Sequence, residues 1–138
     1  MADEVKRDLS AFLLDRALPV HNKRFAASKR FVDENGEPIP WEIRPLSSSE
    51  DIEIKRGLWN KTDTRNSMDI SLEIAAKCTV FPDLRSTELQ RSYNVTGEIE
   101  LLKALLCLPG ELYEYLTQVQ SYLGYDVEPE ARVEEAKN

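Results

Sequence analysis

Residues 96–108 read Thr96-Gly-Glu-Ile-Glu-Leu-Leu-Lys-Ala-Leu-Leu-Cys-Leu108, and residues 109–123 read Pro109-Gly-Glu-Leu-Tyr-Glu-Tyr-Leu-Thr-Gln-Val-Gln-Ser-Tyr-Leu123. Nothing else in the chain is as apolar or as periodic. In the second segment Leu112, Leu116, Val119 and Leu123 recur at helical spacing and line one side of a helix. Pro109 suits a first helical position, where the missing N–H has no partner to lose. Glu111 can reach back to the free amides of the first turn, and Gly124 can take the left-handed conformation that closes a helix. In the first segment Thr96 is the expected N-cap, with Glu98 and Glu100 at the positive end. Ile99, Leu102 and Leu106 make one apolar row, and Leu101, Leu105 and Leu108 another, so this helix has to be covered on more than one side. Each Leu or Ile fully buried contributes roughly 1.5–3 kcal/mol. The pair predicts a helical hairpin or corner, joined at Pro109, that carries much of the core.

A chain of 138 residues bounds the answer to one domain with tails, large enough to fold without disulfides or metals. The expected division is a flexible N-terminus over 1–9, a single globular unit over 10–125, and an acidic flexible tail over 126–138. Apolar residues are 41% and charged residues 31%, as in soluble globular proteins. No apolar run approaches the ~20 residues of a membrane span, and Met1-Ala-Asp-Glu is no export signal, so no membrane partner and a cytoplasmic location are expected. The net charge of −7 repels nucleic acid. Cys78 and Cys107 both sit among apolar residues of predicted helices and read as buried, reduced thiols.

Working back to the start, Ser10 to Leu18 predicts a short helix that buries Phe12, Leu13 and Leu14 and stops at Pro19; so short a helix holds its shape only by docking. Lys23 to Val32 predicts a strand with Phe25, Ala27 and Phe31 on one face. Its four cations, Lys23, Arg24, Lys29 and Arg30, make either a solvated side or a docking site for an acidic segment. Asn35-Gly36 predicts a tight turn, and Ile39, Trp41 and Ile43 share one face of the returning strand. Pro40 and Pro45 remove amides, so that strand is expected at an edge or to be short. Ser47 starts a helix over about 50–58, and residues 60–67 form a polar loop expected to be the mobile internal segment. Met68, Ile70, Leu72 and Ile74 alternate like a strand, while Ile70, Ile74 and Cys78 suit a helix. Residues 70–79 are read as the helix, with strand left open for 68–74, and Pro82 stops the element; Ser86 caps another short helix. The fold class is therefore α+β, mostly α-helical, with one N-terminal β-hairpin packed on a small helical bundle.

The chain carries no Gly-rich phosphate loop, no Gly-x-Ser-x-Gly elbow and no His-Glu-x-x-His, and its single histidine, His21, offers no base beside a nucleophile. No catalytic, cofactor-binding or metal-binding residue is assigned, and the chain is not read as an enzyme. Tyr113, Tyr115, Tyr122 and Tyr125 gather in and after the last helix. They either finish the core or form a protein-binding surface, where tyrosine supplies contact area at low entropic cost. Leu101, Leu105, Leu108, Tyr113, Tyr115 and Tyr122 are the candidate partner-binding residues.

Several blocks in order carry a family resemblance. They are Phe31-Val-Asp-Glu-Asn-Gly-Glu-Pro-Ile-Pro-Trp-Glu-Ile-Arg-Pro-Leu-Ser47, Ala75-Ala-Lys-Cys-Thr-Val-Phe-Pro-Asp-Leu84, Glu88-Leu-Gln-Arg-Ser-Tyr93, Glu100-Leu-Leu-Lys-Ala-Leu-Leu106 with Pro109-Gly-Glu111, and Tyr125-Asp126. Over roughly residues 10–126 the chain resembles the XkdN-like tail assembly chaperones of tailed phages and prophages of Gram-positive bacteria. It departs from them at Asn94, where relatives tend to have Gly, at Thr96, where they tend to be apolar, and in the spacing before Pro109. The resemblance implies a non-enzymatic chaperone that binds the tape measure protein, keeps it soluble and gathers tail tube subunits on it. The tape measure protein is the expected partner, with the tail tube protein and a homo-oligomer as further expectations. The resemblance also implies absence from the mature virion and, in many relatives, a frameshifted longer form. The alternative is a small structural adaptor of the tail retained in the virion.

Overall fold

The helix that gathers the core is α1's successor in the chain, α2, Ser67–Cys78, where α1 is Ser48–Trp59. The computed structural model describes residues 8–60 and 62–125, so the expected acidic tail and most of the expected flexible N-terminus lie outside the described residues. Asn66 caps α2 by accepting from Asp69 N at 2.8 Å while the Asp69 carboxylate accepts from Asn66 N, a reciprocal box that Ser47 and Glu50 repeat at the start of α1. Ile70, Leu72, Ile74, Ala75, Ala76 and Cys78 of α2 are buried, and so wide an apolar surface demands neighbours on several sides. Those neighbours are α1, α4 (Glu98–Leu105) and α5 (Pro109–Tyr122). The two Leu-rich helices thus pack on α2 more than on each other, so of the expected hairpin or corner the structure shows the corner. The cause lies at their junction. Pro109 disfavours a helical Leu108, which is extended, so α4 stops at Leu105 and the chain changes direction before α5.

Three short strands form an antiparallel sheet in the order β1 (Lys23–Phe25), β2 (Trp41–Ile43), β3 (Thr79–Phe81). Phe25 pairs with Trp41 and Lys23 with Ile43, while Ile43 pairs with Thr79 on the other side. β2 is short, as one of the two expected alternatives had it, but central rather than at an edge. Pro40 and Pro45 fall just outside Trp41–Ile43, so neither removes a ladder donor. β3 was not foreseen, because strand character follows α2 rather than leading into it. Gly36, at φ 78°, makes the expected turn, braced by Asp33 Oδ1 accepting from Asn35 N and Glu37 N.

Other expectations change at the level of single residues. Thr96 does not cap α4; Gly97 does, at φ 99°, without a side-chain cap bond. Its N–H donates instead to Gln90 Oε1 of the segment around α3, Thr87–Ser92, which Ser86 caps as expected. Glu111 accepts from Ser28 Oγ rather than from its own first turn. Cys78 is buried, and burial pushes its thiol up to about 11, whereas Cys107 is exposed because it lies in the break between α4 and α5. Phe12, Leu13 and Leu14 are exposed: the N-terminal turn Leu9–Phe12 is 3₁₀ and buries none of its residues against the described chain.

The sheet meets α5 at one buried polar contact. Thr79 Oγ1 donates to Ala75 O at 2.7 Å, so its single proton is committed and the Tyr115 hydroxyl, 2.6 Å away, must donate to it. Thr79→Val is therefore expected to cost about 1–3 kcal/mol by leaving a buried donor unpaired. The double variant Thr79→Val/Tyr115→Phe is expected to recover part of that loss, and urea unfolding of the three proteins checks it.

The loop before α2, expected to be mobile, holds an arginine clamp. Arg65 donates to Asp63, to Glu73 on α2 and to Ile54 O on α1. The Arg65 side chain, then its backbone N–H, pull Asp63 down to about 2; the Arg44 side chain, then Ser47 N–H, pull Glu50 down to about 2. Both carboxyls titrate lower folded than unfolded. Their stabilisation is complete above the unfolded values and is lost as pH falls from about 4.5 towards 2. Urea midpoints measured across that range should drop steeply for the parent and less steeply for Arg65→Met.

Candidate partner-binding groove

Between α2 and α5 runs an open groove of about 750 Å³. α2 contributes Met68 and Ser71; α5 contributes Tyr113, Leu116, Thr117, Gln120 and Ser121; Tyr125 closes one end. The spacing explains the lining, since Tyr113, Thr117 and Gln120 fall on one side of a helix. Leu116 is buried at the floor, and Gln120 Nε2 donates to Ser71 Oγ at 3.4 Å. Tyr113 and Tyr125 stand exposed at the rim. No lining residue is a carboxylate, a lysine or an arginine, in a chain that is 31% charged. At the Tyr125 end the Lys55 ammonium donates to the Tyr125 hydroxyl at 3.0 Å; over the rest of the lining an apolar guest displaces water from hydroxyls and amides rather than from an ion, which is the costly event. From Tyr113 to Tyr122 α5 runs about 14 Å, enough to lie along two or three turns of a guest helix.

Six residues were candidates for this role, and the fold divides them. Leu101, Leu105 and Tyr115 are in the core, at 0%, 3% and 1% exposure, and do not line this groove. Tyr115 is enclosed because Phe25 and Trp41 of the sheet pack on it, with ring centroids 5.7 and 5.2 Å away. Tyr122 is half-buried on the far side of α5 and donates to His21 O. Leu108 is exposed at the junction, and Tyr113 alone of the six lines the groove. The uncharged row Tyr113, Thr117, Gln120 was the available signal for the rest of α5. Met68 and Ser71 carry no local sign of facing it.

The basic stretch is largely spent inside the chain. Lys23 donates to Gln118 at 2.9 Å, Arg24 to Glu42 at 2.8 Å, and Arg30 to Leu105 O at 3.1 Å, leaving Lys29 exposed. A second, smaller cleft of about 160 Å³ is lined by apolar residues including Phe31, Ile39, Phe81 and Tyr93, and is below the usual size of a ligand site. Among the described residues no group of three His, Cys, Asp or Glu side chains forms a metal site, and no helix is long and apolar enough to cross a membrane.

A sequence model of the phage XkdN-like tail assembly chaperone proteins matches residues 9–137. The chain belongs to that family. This XkdN-like chaperone is 28% identical to the phage-like element PBSX protein XkdN of Bacillus subtilis strain 168, over 95% of this chain and 94% of that protein. It is 26% identical to the protein YqbN of the same strain, over 95% of this chain and 93% of YqbN. The crystal structure of the protein YqbN superposes with a TM-score of 0.77 at 26% identity, covering 88% of this chain and 99% of that one. The XkdN-like chaperone therefore shares its α+β architecture with a solved relative across nearly the whole described chain.

Proposed function

We propose that this tail assembly chaperone binds the tape measure protein of its own phage through the α2–α5 groove. A tape measure protein is a long helical chain whose apolar stripes stay uncovered until the tail tube forms around it. One turn of stripe after another would lie in the groove between Met68 and Tyr113, over Leu116, with tyrosine at the rim. The observation that carries the reading is the uncharged lining at helical spacing in a protein of net charge −7. The charge held outside the groove keeps the complex in solution by repulsion between copies. Bound chaperone then yields to tail tube subunits as they gather, so it works in the bacterial cytoplasm and leaves before the virion is finished.

Co-expression with the tape measure protein tests this. The soluble fraction of the tape measure should rise with the chaperone and stay low with Met68→Glu/Tyr113→Glu, two changes at exposed positions. Equal insolubility with and without the chaperone ends the reading. Mass spectrometry of purified particles tests departure: abundant chain in the virion would make it a retained adaptor instead.

A further inference from the structure

The apolar cleft of about 160 Å³ shares no lining residue with the α2–α5 groove. Trp41 and Leu105, its most buried lining residues, make the floor. Phe31, Ile39, Phe81 and Tyr93 stand around them. The turn at Gly36 brings two of these walls together, since Ile39 N donates to Phe31 O at 2.8 Å. Phe81, at the end of β3, keeps half its surface open to solvent. A cleft of this size is too small for a whole ligand and suits one apolar side chain, a Leu or a Phe.

Arg30 borders the cleft. Its Cζ lies 5.3 Å from the centroid of the Phe31 ring, and its Nη1 donates to Leu105 O and to Cys107 Sγ, each at 3.1 Å. Both N–H groups of Nη1 are thereby used, and Arg30 N is braced on Ser28 Oγ at 3.1 Å. These partners are neutral. Among the described residues no carboxylate pairs with Arg30, and nothing accepts from its Nε or Nη2. Those two nitrogens form one edge of the guanidinium, the fork that a carboxylate meets with two parallel hydrogen bonds. The side chain is exposed yet already fastened at Nη1, so a bound carboxylate has little left to order.

We propose that the cleft and Arg30 together dock a segment of a partner protein in which a Leu or Phe stands next to an Asp or Glu. The apolar side chain enters the cleft over Trp41, and the neighbouring carboxylate meets the Nε and Nη2 edge of Arg30. The charge selects the occupant: an apolar segment alone leaves the fork unused, and an acidic segment alone leaves the cleft to water. The chaperone thereby has a second contact, separate from the groove assigned to the tape measure protein.

Tryptophan fluorescence reads the cleft directly. Trp59→Phe removes the only other tryptophan, an exposed one on α1, and leaves Trp41 as the reporter. In that full-length chain the blocked peptide acetyl-Gly-Phe-Glu-Gly-amide should change the Trp41 signal saturably, with half-saturation near about 1 mM, as befits one anchor and one ion pair. Gln in place of the peptide's Glu should weaken binding roughly fivefold, and Ala in place of its Phe should abolish the change. Arg30→Met, checked for folding by circular dichroism, should bind the Glu and Gln peptides equally. Met68→Glu/Tyr113→Glu should leave peptide binding as it was, which separates this contact from the client reading. No saturable change overturns the proposal, and so do equal binding of the Glu and Gln peptides to the chain with Arg30 intact, binding of the Ala peptide as tight as that of the Phe peptide, and loss of binding in the groove variant.

Discussion

Trp41→Ala is expected to lower the free energy of unfolding by ~3–5 kcal/mol, a large share of the ~5–15 kcal/mol that holds a domain of this size. Trp41 is 2% exposed on the central strand. Its ring meets Tyr115 edge-on, at 5.2 Å and 67°, and lies 6.4 Å from Phe31. It therefore fills the space between a three-stranded sheet too small to stand alone and the helix that covers it. Truncation would leave a cavity bounded by β1, β2 and α5, and the short strands have little else to hold them there. Trp59→Ala is the control: Trp59 is 65% exposed at the end of α1, and its loss should move stability by no more than ~0.5 kcal/mol. Urea unfolding followed by circular dichroism compares the two directly.

Leu101→Ala is expected to cost ~2–5 kcal/mol, by loss of burial and the cavity left behind. Leu101 is fully buried on α4, which packs on α2. Tyr113→Glu, at an exposed rim position, should change stability by less than ~0.5 kcal/mol and yet abolish capture of the tape measure protein. The two substitutions thus separate holding the fold from holding a partner. A Leu101→Ala protein as stable as the parent would mean that the leucine rows serve as a surface after all.

What could be read in advance was what local chemistry decides. Ser47, Asn35-Gly36, Ser86, Pro109 and Gly124 mark element ends through hydrogen bonds and torsions within a few residues, and these boundaries hold to within a residue or two. β3 is three residues long, too short to carry a period, and only its pairing with β2 defines it. Tyr113 and Tyr115 are two residues apart on one helix and meet opposite fates. Periodicity separates their sides, but only the position of Phe25 and Trp41 decides which side is interior. The segment Leu9–Leu18 is as apolar as a core helix, and apolarity alone cannot distinguish an arm from a buried element. The groove escaped detection for a related reason. It is made by two helices distant in sequence, and Met68 and Ser71 become part of it only when α5 packs on α2.

Amide hydrogen exchange of the chaperone, alone and bound to a soluble apolar helical segment of the tape measure protein, tests the central claim most directly. Binding is predicted to slow exchange in Met68–Leu72 and Tyr113–Ser121, the two walls of the groove, and to leave β1 and α3 unchanged. Protection confined to the sheet or α3, or absent altogether at saturating segment, would contradict a groove between α2 and α5 as the place where the client is held.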